Sequence, residues 1–147
     1  MPKQKERIFI TGPAGVGKST YAQRLAKEKQ LKCYQLDQIR YPNGTEIDEK
    51  VFRKRLSKFL STDSWILEGT PKNMCDTIFP RCTSIIFLKA PRIVCTVRTA
   101  KRTVKRALGL EDSPIFNDLR NIFSKDFIVF RVWRKYPDYM GQIEDGL

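Results

Sequence analysis

Gly12-Pro13-Ala14-Gly15-Val16-Gly17-Lys18-Ser19-Thr20 satisfies G-x-x-x-x-G-K-[S/T] in full, directly after an apolar run and directly before a helical one. The run Arg7-Ile8-Phe9-Ile10-Thr11 is short and β-branched and reads as a strand. Gly17 to Lys29, with Tyr21, Leu25 and Ala26 on its inner face, reads as a helix. A loop at the carboxyl end of a strand, with a helix N-terminus pointing into it, gathers backbone N–H groups and the positive end of the helix dipole around one point. The glycines allow the backbone turns that this gathering requires. Lys18 adds a charge for the β- and γ-phosphates, and the Ser19 hydroxyl is a natural Mg²⁺ ligand. Residues 12 to 20 are therefore expected to cradle a nucleoside triphosphate.

Beyond that helix, Lys32-Cys33-Tyr34-Gln35-Leu36 reads as a second strand stopping at Asp37. Turn residues at 40 to 44 precede a predicted helix over about 46–60, with Ile47, Val51, Leu56, Phe59 and Leu60 inside. Ser64-Trp65-Ile66-Leu67 is a third strand, ending at Glu68-Gly69, and Ser84-Ile85-Ile86-Phe87-Leu88 a fourth, ending at Lys89. A helix follows Ala90-Pro91 to about Leu108, and a last one is expected over about 115–135. Strands alternating with helices imply a parallel sheet covered on both faces, a three-layer α/β/α arrangement of four strands, or five if the tail supplies one. Ligands of such sheets collect at the strand carboxyl ends, so Asp37, Glu68 and Lys89 are expected on the rim that carries the phosphate loop.

The bulk properties narrow the chemistry. A chain of 147 residues is expected to form one domain, 1–147, with a core that needs no disulfides. No run of roughly 18 apolar residues occurs and no apolar leader precedes the first strand, which leads us to expect a soluble, cytoplasmic protein without membrane contact. Cys33, Cys75, Cys82 and Cys95 show no C-x-x-C pairing, and there is no histidine. The usual zinc spacings and the Ser-His-Asp and Cys-His mechanisms are thereby excluded, leaving proton transfer to Asp, Glu, Lys or water. A net charge of +12 favours polyanionic partners, nucleotides or nucleic acid.

Several rim residues carry candidate roles. Glu68 stands where a carboxylate holds Mg²⁺ opposite Ser19. Asp37 and Arg40 form a D-x-x-R step; the carboxylate could accept a hydroxyl proton or bind a sugar, and the guanidinium could fork onto an acceptor phosphate. Arg98, Lys101, Arg102, Lys105 and Arg106 recur along one face of a helix, with Ile93, Val94, Val97, Val104 and Leu108 on the other. Arginines so placed neutralise a phosphoryl group in transfer, whereas lysines on such a face also serve solubility. Arg131 and Arg134, among Phe127, Phe130 and Trp133, fit a helix core better than a stacking platform.

With these motifs (GPAGVGKST, YQLDQI, WILEG, FLKAPRIVCTVRTAKR, VWRKYP) the chain resembles the adenylate-kinase-like family of P-loop kinases, in particular the DNA topology modulation proteins, from about Arg7 to Pro137. The resemblance implies a nucleoside-monophosphate-kinase fold with an acceptor-covering helix at about 46–61 and a short arginine-bearing lid at about 102–115. Gly12, Gly17, Lys18 and Ser19 match the family's triphosphate loop. Glu68-Gly69-Thr70-Pro71-Lys72 is similar to its D-G-x-P-R step, which puts Glu68 and Gly69 at the acceptor. Arg98 and Arg102 match the R-x-x-x-R at its lid base. Lys89 departs from the family, which commonly carries an aspartate there. The resemblance implies a kinase using ATP and Mg²⁺, with Lys18, Arg98 and Arg102 as catalytic residues, to which the D-x-x-R step adds Asp37. Its first expected acceptor is a nucleoside monophosphate or another small anion. The alternatives are the 5′-hydroxyl of a polynucleotide and a nucleotide-gated protein that binds nucleic acid.

Overall fold

The computed structural model describes residues 5–110. The predicted helix over 115–135, Arg131, Arg134, any fifth strand and the far end of the expected lid lie outside them. Four strands, β1 (Arg7–Thr11), β2 (Cys33–Gln35), β3 (Trp65–Glu68) and β4 (Ser84–Phe87), make one parallel sheet in the order β2-β3-β1-β4. The helices are α1 (Lys18–Lys29), α2 (Leu36–Arg40), α3 (Glu49–Leu60), α4 (Cys75–Ile78) and α5 (Arg92–Ala107). The result is the expected three-layer α/β/α P-loop fold.

Side-chain alternation sorts the central strands into two cores. Phe9, Trp65 and Leu67 point to one face, where Phe52, Leu56 and Leu60 of α3 cover them together with Leu36, Met74 and Ile78. Ile8, Ile10 and Ile66 point to the other, against Ala22 and Ala26 of α1. Truncating a fully buried aromatic such as Phe52 to alanine costs about 3–5 kcal/mol. Glu68 has the same parity as Ile66, so its carboxylate emerges on the α1 face. In register it pairs with Ile10 on one side and Gln35 on the other.

Four local expectations change. The second strand ends at Gln35, and Leu36 and Asp37 open the short helix α2 instead, because Leu36 buries against Gly69 at the end of β3. The third helix starts at Glu49, capped by Asp48, whose Oδ1 accepts from the Lys50 N–H at 2.9 Å. That start turns Phe52 inward and leaves Val51 44% exposed. On α1 the innermost residue is Ala22, with Tyr21 and Leu25 packed only at the edge.

The fourth change is on α5, where Ile93, Val97, Val104 and Leu108 are all more than half exposed, and Cys95 and Thr99 are buried. The helix sits on the phosphate loop, and only small side chains fit there. A Cβ at Gly15, whose φ is +79°, would lie 2.4 Å from the Cys95 carbonyl oxygen and 2.6 Å from Thr99 Oγ1. Cys95 also packs on Val16. The Thr99 hydroxyl is buried there with no hydrogen-bond partner among the described residues.

Candidate active site

The phosphate loop runs from Gly12 to Gly17 between β1 and α1, and its glycines take positive φ values of 148°, 79° and 101° at positions 12, 15 and 17. Its lysine is folded inward. Lys18 Nζ donates to the Gly12 and Pro13 carbonyl oxygens at 2.9 and 3.0 Å. Burial lowers the Lys18 pKa from 10.5 to about 8, opposed by the charge of Glu68 and helped by that of Arg102. An anion in the loop would compensate the buried ammonium.

Ser19 and Glu68 meet, as their expected metal role requires. Ser19 Oγ donates to Glu68 Oε1 at 2.7 Å, across the α1–β3 interface. Burial pushes the Glu68 pKa above its usual value, with the Ser19 hydrogen bond and the Lys18 charge pulling the other way. A buried carboxylate that prefers to lose its charge is one that a cation would stabilise. Among the described residues no group of three or more metal-ligating side chains gathers. The hydroxyl–carboxylate pair therefore fits Mg²⁺, which takes one or two protein oxygens and completes its shell with phosphates and water.

Gly69 follows Glu68, and a Cβ there would lie 2.7 Å from Leu36 Cβ. The missing side chain lets α2 close on the end of β3, which brings Asp37 to the same rim. Asp37 is exposed, and its charge bears on both Lys18 and Glu68. Arg40, the other half of the D-x-x-R step, is ion-paired. Its Nη1 lies 3.3 Å from Glu46 Oε1 and 3.2 Å from Glu49 Oε2, and its guanidinium covers the Phe52 ring at 4.2 Å. Lys89 is exposed beside the Phe87 ring and puts a cation, not a carboxylate, at the end of β4.

The basic stripe of α5 divides. Lys101 and Lys105 face outward, whereas Arg102, half-buried, acts electrostatically on Lys18 and Glu68. Arg98 reaches the loop from the other side, its Nη1 donating to the Val16 carbonyl oxygen at 3.3 Å. It shares a cleft with Gly17, Thr20, Tyr21 and Arg24. Arg24 was not singled out from the sequence, and Tyr21 was read there only as an inner-face residue of the helix. The signal for Arg24 was the helical spacing that puts it one turn beyond Thr20.

Cys33, Cys82 and Cys95 are in no disulfide. Burial pushes the Cys82 thiol up to about 12, which makes it unreactive. No described helix is long and apolar enough to cross a membrane.

Comparison with known proteins agrees with this geometry. Residues 8–114 match the AAA domain family. A shikimate kinase from Buchnera aphidicola subsp. Baizongia pistaciae (strain Bp) is 36% identical over 66 residues, a match taking in 40% of this chain and 38% of that enzyme's length. The solved shikimate kinase from Bacteroides thetaiotaomicron has a TM-score of 0.57 at 18% identity, over 92% of this chain and 82% of that one. A gluconokinase from Sinorhizobium meliloti 1021 has a TM-score of 0.51 at 13% identity, over 97% and 95%. At such identities the superpositions speak for the fold. Phosphate loop, sheet order and the long match over 8–114 agree, and the chain belongs to the AAA domain family, built on the three-layer fold that P-loop kinases share.

Proposed function

We propose that this protein is an ATP- and Mg²⁺-dependent phosphotransferase acting on a small acceptor. The observation that carries the proposal is the 2.7 Å contact of Ser19 with Glu68, beside a Lys18 whose ammonium holds backbone carbonyls alone among the described residues. Mg²⁺, when bound, bridges phosphate oxygens and neutralises their charge. On this reading Lys18 leaves the Gly12 and Pro13 carbonyls for the phosphates, and Ser19 and Glu68 present their oxygens to the cation. Arg102 adds positive charge where the phosphoryl group travels. Arg98 serves the donor side of the loop.

The acceptor side favours a hydroxyl over a monophosphate. Two carboxylates already neutralise Arg40, while the Asp37 carboxylate is exposed on the rim with no ion pair among the described residues. A carboxylate so placed can take the proton of an attacking hydroxyl. The matched relatives are by name a shikimate kinase and a gluconokinase, kinases of small molecules. With Arg98 and Arg102 turned toward the loop, the stripe offers less to a polynucleotide than its spacing suggested.

The test incubates the protein with γ-labelled ATP and Mg²⁺ against small polyols and hydroxy acids, nucleoside monophosphates and a 5′-hydroxyl oligonucleotide. Label is expected on a small hydroxyl acceptor, and Asp37→Asn is expected to lower that transfer by about 10²–10⁴-fold. Label on a monophosphate, little affected by Asp37→Asn, would support the adenylate-kinase-like reading instead. Label on the oligonucleotide would support a polynucleotide kinase. No transfer to any acceptor would overturn the proposal.

A further inference from the structure

Three threonines lie on α5, and one of them stands apart. Thr96 Oγ1 donates to the Arg92 carbonyl oxygen at 2.8 Å and Thr103 Oγ1 to the Thr99 carbonyl oxygen at 2.9 Å, each reaching back one turn as helical threonines do. Thr99 does not follow them. Its side chain is buried, 2% exposed, and its hydroxyl has no hydrogen-bond partner among the described residues. Buried hydroxyls are nearly always paired, because an unpaired one carries the full cost of its lost hydration.

This hydroxyl lies against the phosphate loop. A Cβ built on Gly15 would come within 2.6 Å of Thr99 Oγ1 and closer still to the Cys95 carbonyl oxygen, so both oxygens rest on the Gly15 backbone. They differ in what they have left to offer. A carbonyl inside a helix is engaged by the N–H four residues on, whereas the Thr99 hydroxyl has a proton to give. A loop that turns N–H groups inward around a phosphate turns carbonyls outward, and outward from Gly15 lies α5. In the structure Lys18 Nζ holds the Gly12 and Pro13 carbonyl oxygens at 2.9 and 3.0 Å. Phosphates that take Lys18 release those carbonyls, and Gly15, without a side chain and with a φ of +79°, is where the loop is free to turn.

We propose that Thr99 is a positioning residue for the phosphate loop: once a triphosphate fills the loop, its hydroxyl donates to the Gly15 carbonyl oxygen and holds the loop in that form. The proposal rests on the loop binding a nucleoside triphosphate and deepens the donor side of the function given above. Thr99 touches no phosphate itself and acts through the Gly15 peptide.

The test sets Thr99→Val, nearly the same shape without the hydroxyl, beside Thr99→Ser, which keeps it. Binding of the Mg²⁺ complex of adenosine 5′-imidotriphosphate to the full chain is measured by calorimetry, and melting temperature by thermal scans without nucleotide. Thr99→Val is expected to melt at or above the wild-type temperature, since it removes an unpaired buried hydroxyl, yet to bind the nucleotide about two- to tenfold more weakly, the net weight of one hydrogen bond. Thr99→Ser is expected to bind as wild type does. Unchanged affinity in Thr99→Val, a lower melting temperature in that variant, or Thr99→Ser binding as weakly as Thr99→Val would overturn the proposal. The expected Thr99 effect without transfer to any acceptor would sink the phosphotransferase reading and leave Thr99 in its role. Transfer from ATP with equal affinities in wild type and Thr99→Val would do the reverse, and a wild type that binds no nucleotide would overturn both.

Discussion

Lys18 holds its proton weakly until an anion arrives, and that makes nucleotide affinity depend on pH. Its pKa is lowered from 10.5 to about 8, chiefly by burial in the loop. A phosphate within hydrogen-bond distance restores the ammonium toward its ordinary range, a gain of at most about 3.5 kcal/mol at ~1.4 kcal/mol per pH unit. At pH 9 roughly one loop in ten carries the proton, and at pH 10 roughly one in a hundred. The apparent Kd should therefore rise about tenfold per pH unit between 8 and 10. Stability of the unliganded protein moves the other way. Between pH 8 and 10.5 the unfolded chain binds more protons at this lysine than the native one, so its contribution favours folding increasingly as pH rises. The assay is equilibrium binding of adenosine diphosphate without metal, since Mg²⁺ hydroxide would interfere at the alkaline end, with Lys18→Met as control. A flat affinity from pH 8 to 10, or the same slope in Lys18→Met, would refute the reasoning.

Two further substitutions probe the loop's surroundings. Glu68→Gln keeps an oxygen for Ser19 but removes a buried charge whose pKa burial raises. A raised carboxyl contributes stability below its unfolded pKa and loses it as pH climbs through the native value. The unliganded variant should thus melt higher than wild type at pH 7, with the advantage fading toward pH 4, while the Mg²⁺ enhancement of nucleotide binding disappears. Thermal scans at both pH values and Kd with and without Mg²⁺ check this. Gly15→Ala forces a side chain into positive φ and against the Cys95 carbonyl. It should cost about 2 kcal/mol or more in denaturant unfolding, and weaken nucleotide binding as well. A loss below ~0.5 kcal/mol would show that α5 is not seated tightly on the loop.

What could be read in the sequence was local. The strand–loop–helix from Arg7 to Lys29 and the apolar run ending at Glu68 each carry their pattern in one unbroken stretch of chain, and both appeared where expected. The pairing of Ser19 with Glu68 followed from strand parity once the sheet was parallel. The inward face of α5 could not be read this way. Its apolar spacing pointed to Ile93, Val97, Val104 and Leu108, but the tight approach of Gly15 selects Cys95 and Thr99, and that constraint comes from residues about eighty positions away. The ion pairs of Arg40 were hidden for a similar reason. Its D-x-x-R spacing is local, whereas the carboxylates that occupy it come from the approach to α3 and its first turn. The contact of Arg98 with the Val16 carbonyl was equally hidden, because helix periodicity gives a face but not the neighbour that face meets.

The seat of α5 on the phosphate loop divides that helix mechanically. Its first turns are clamped, with the Cys95 backbone and Thr99 pressed on Gly15 and Arg98 tied to Val16. Two arginines one helical turn apart are thereby given different company: Arg98 is tied to the backbone of the loop itself, whereas Arg102 bears on Lys18 and Glu68 through its charge, so one helix addresses the loop at two places by two kinds of force.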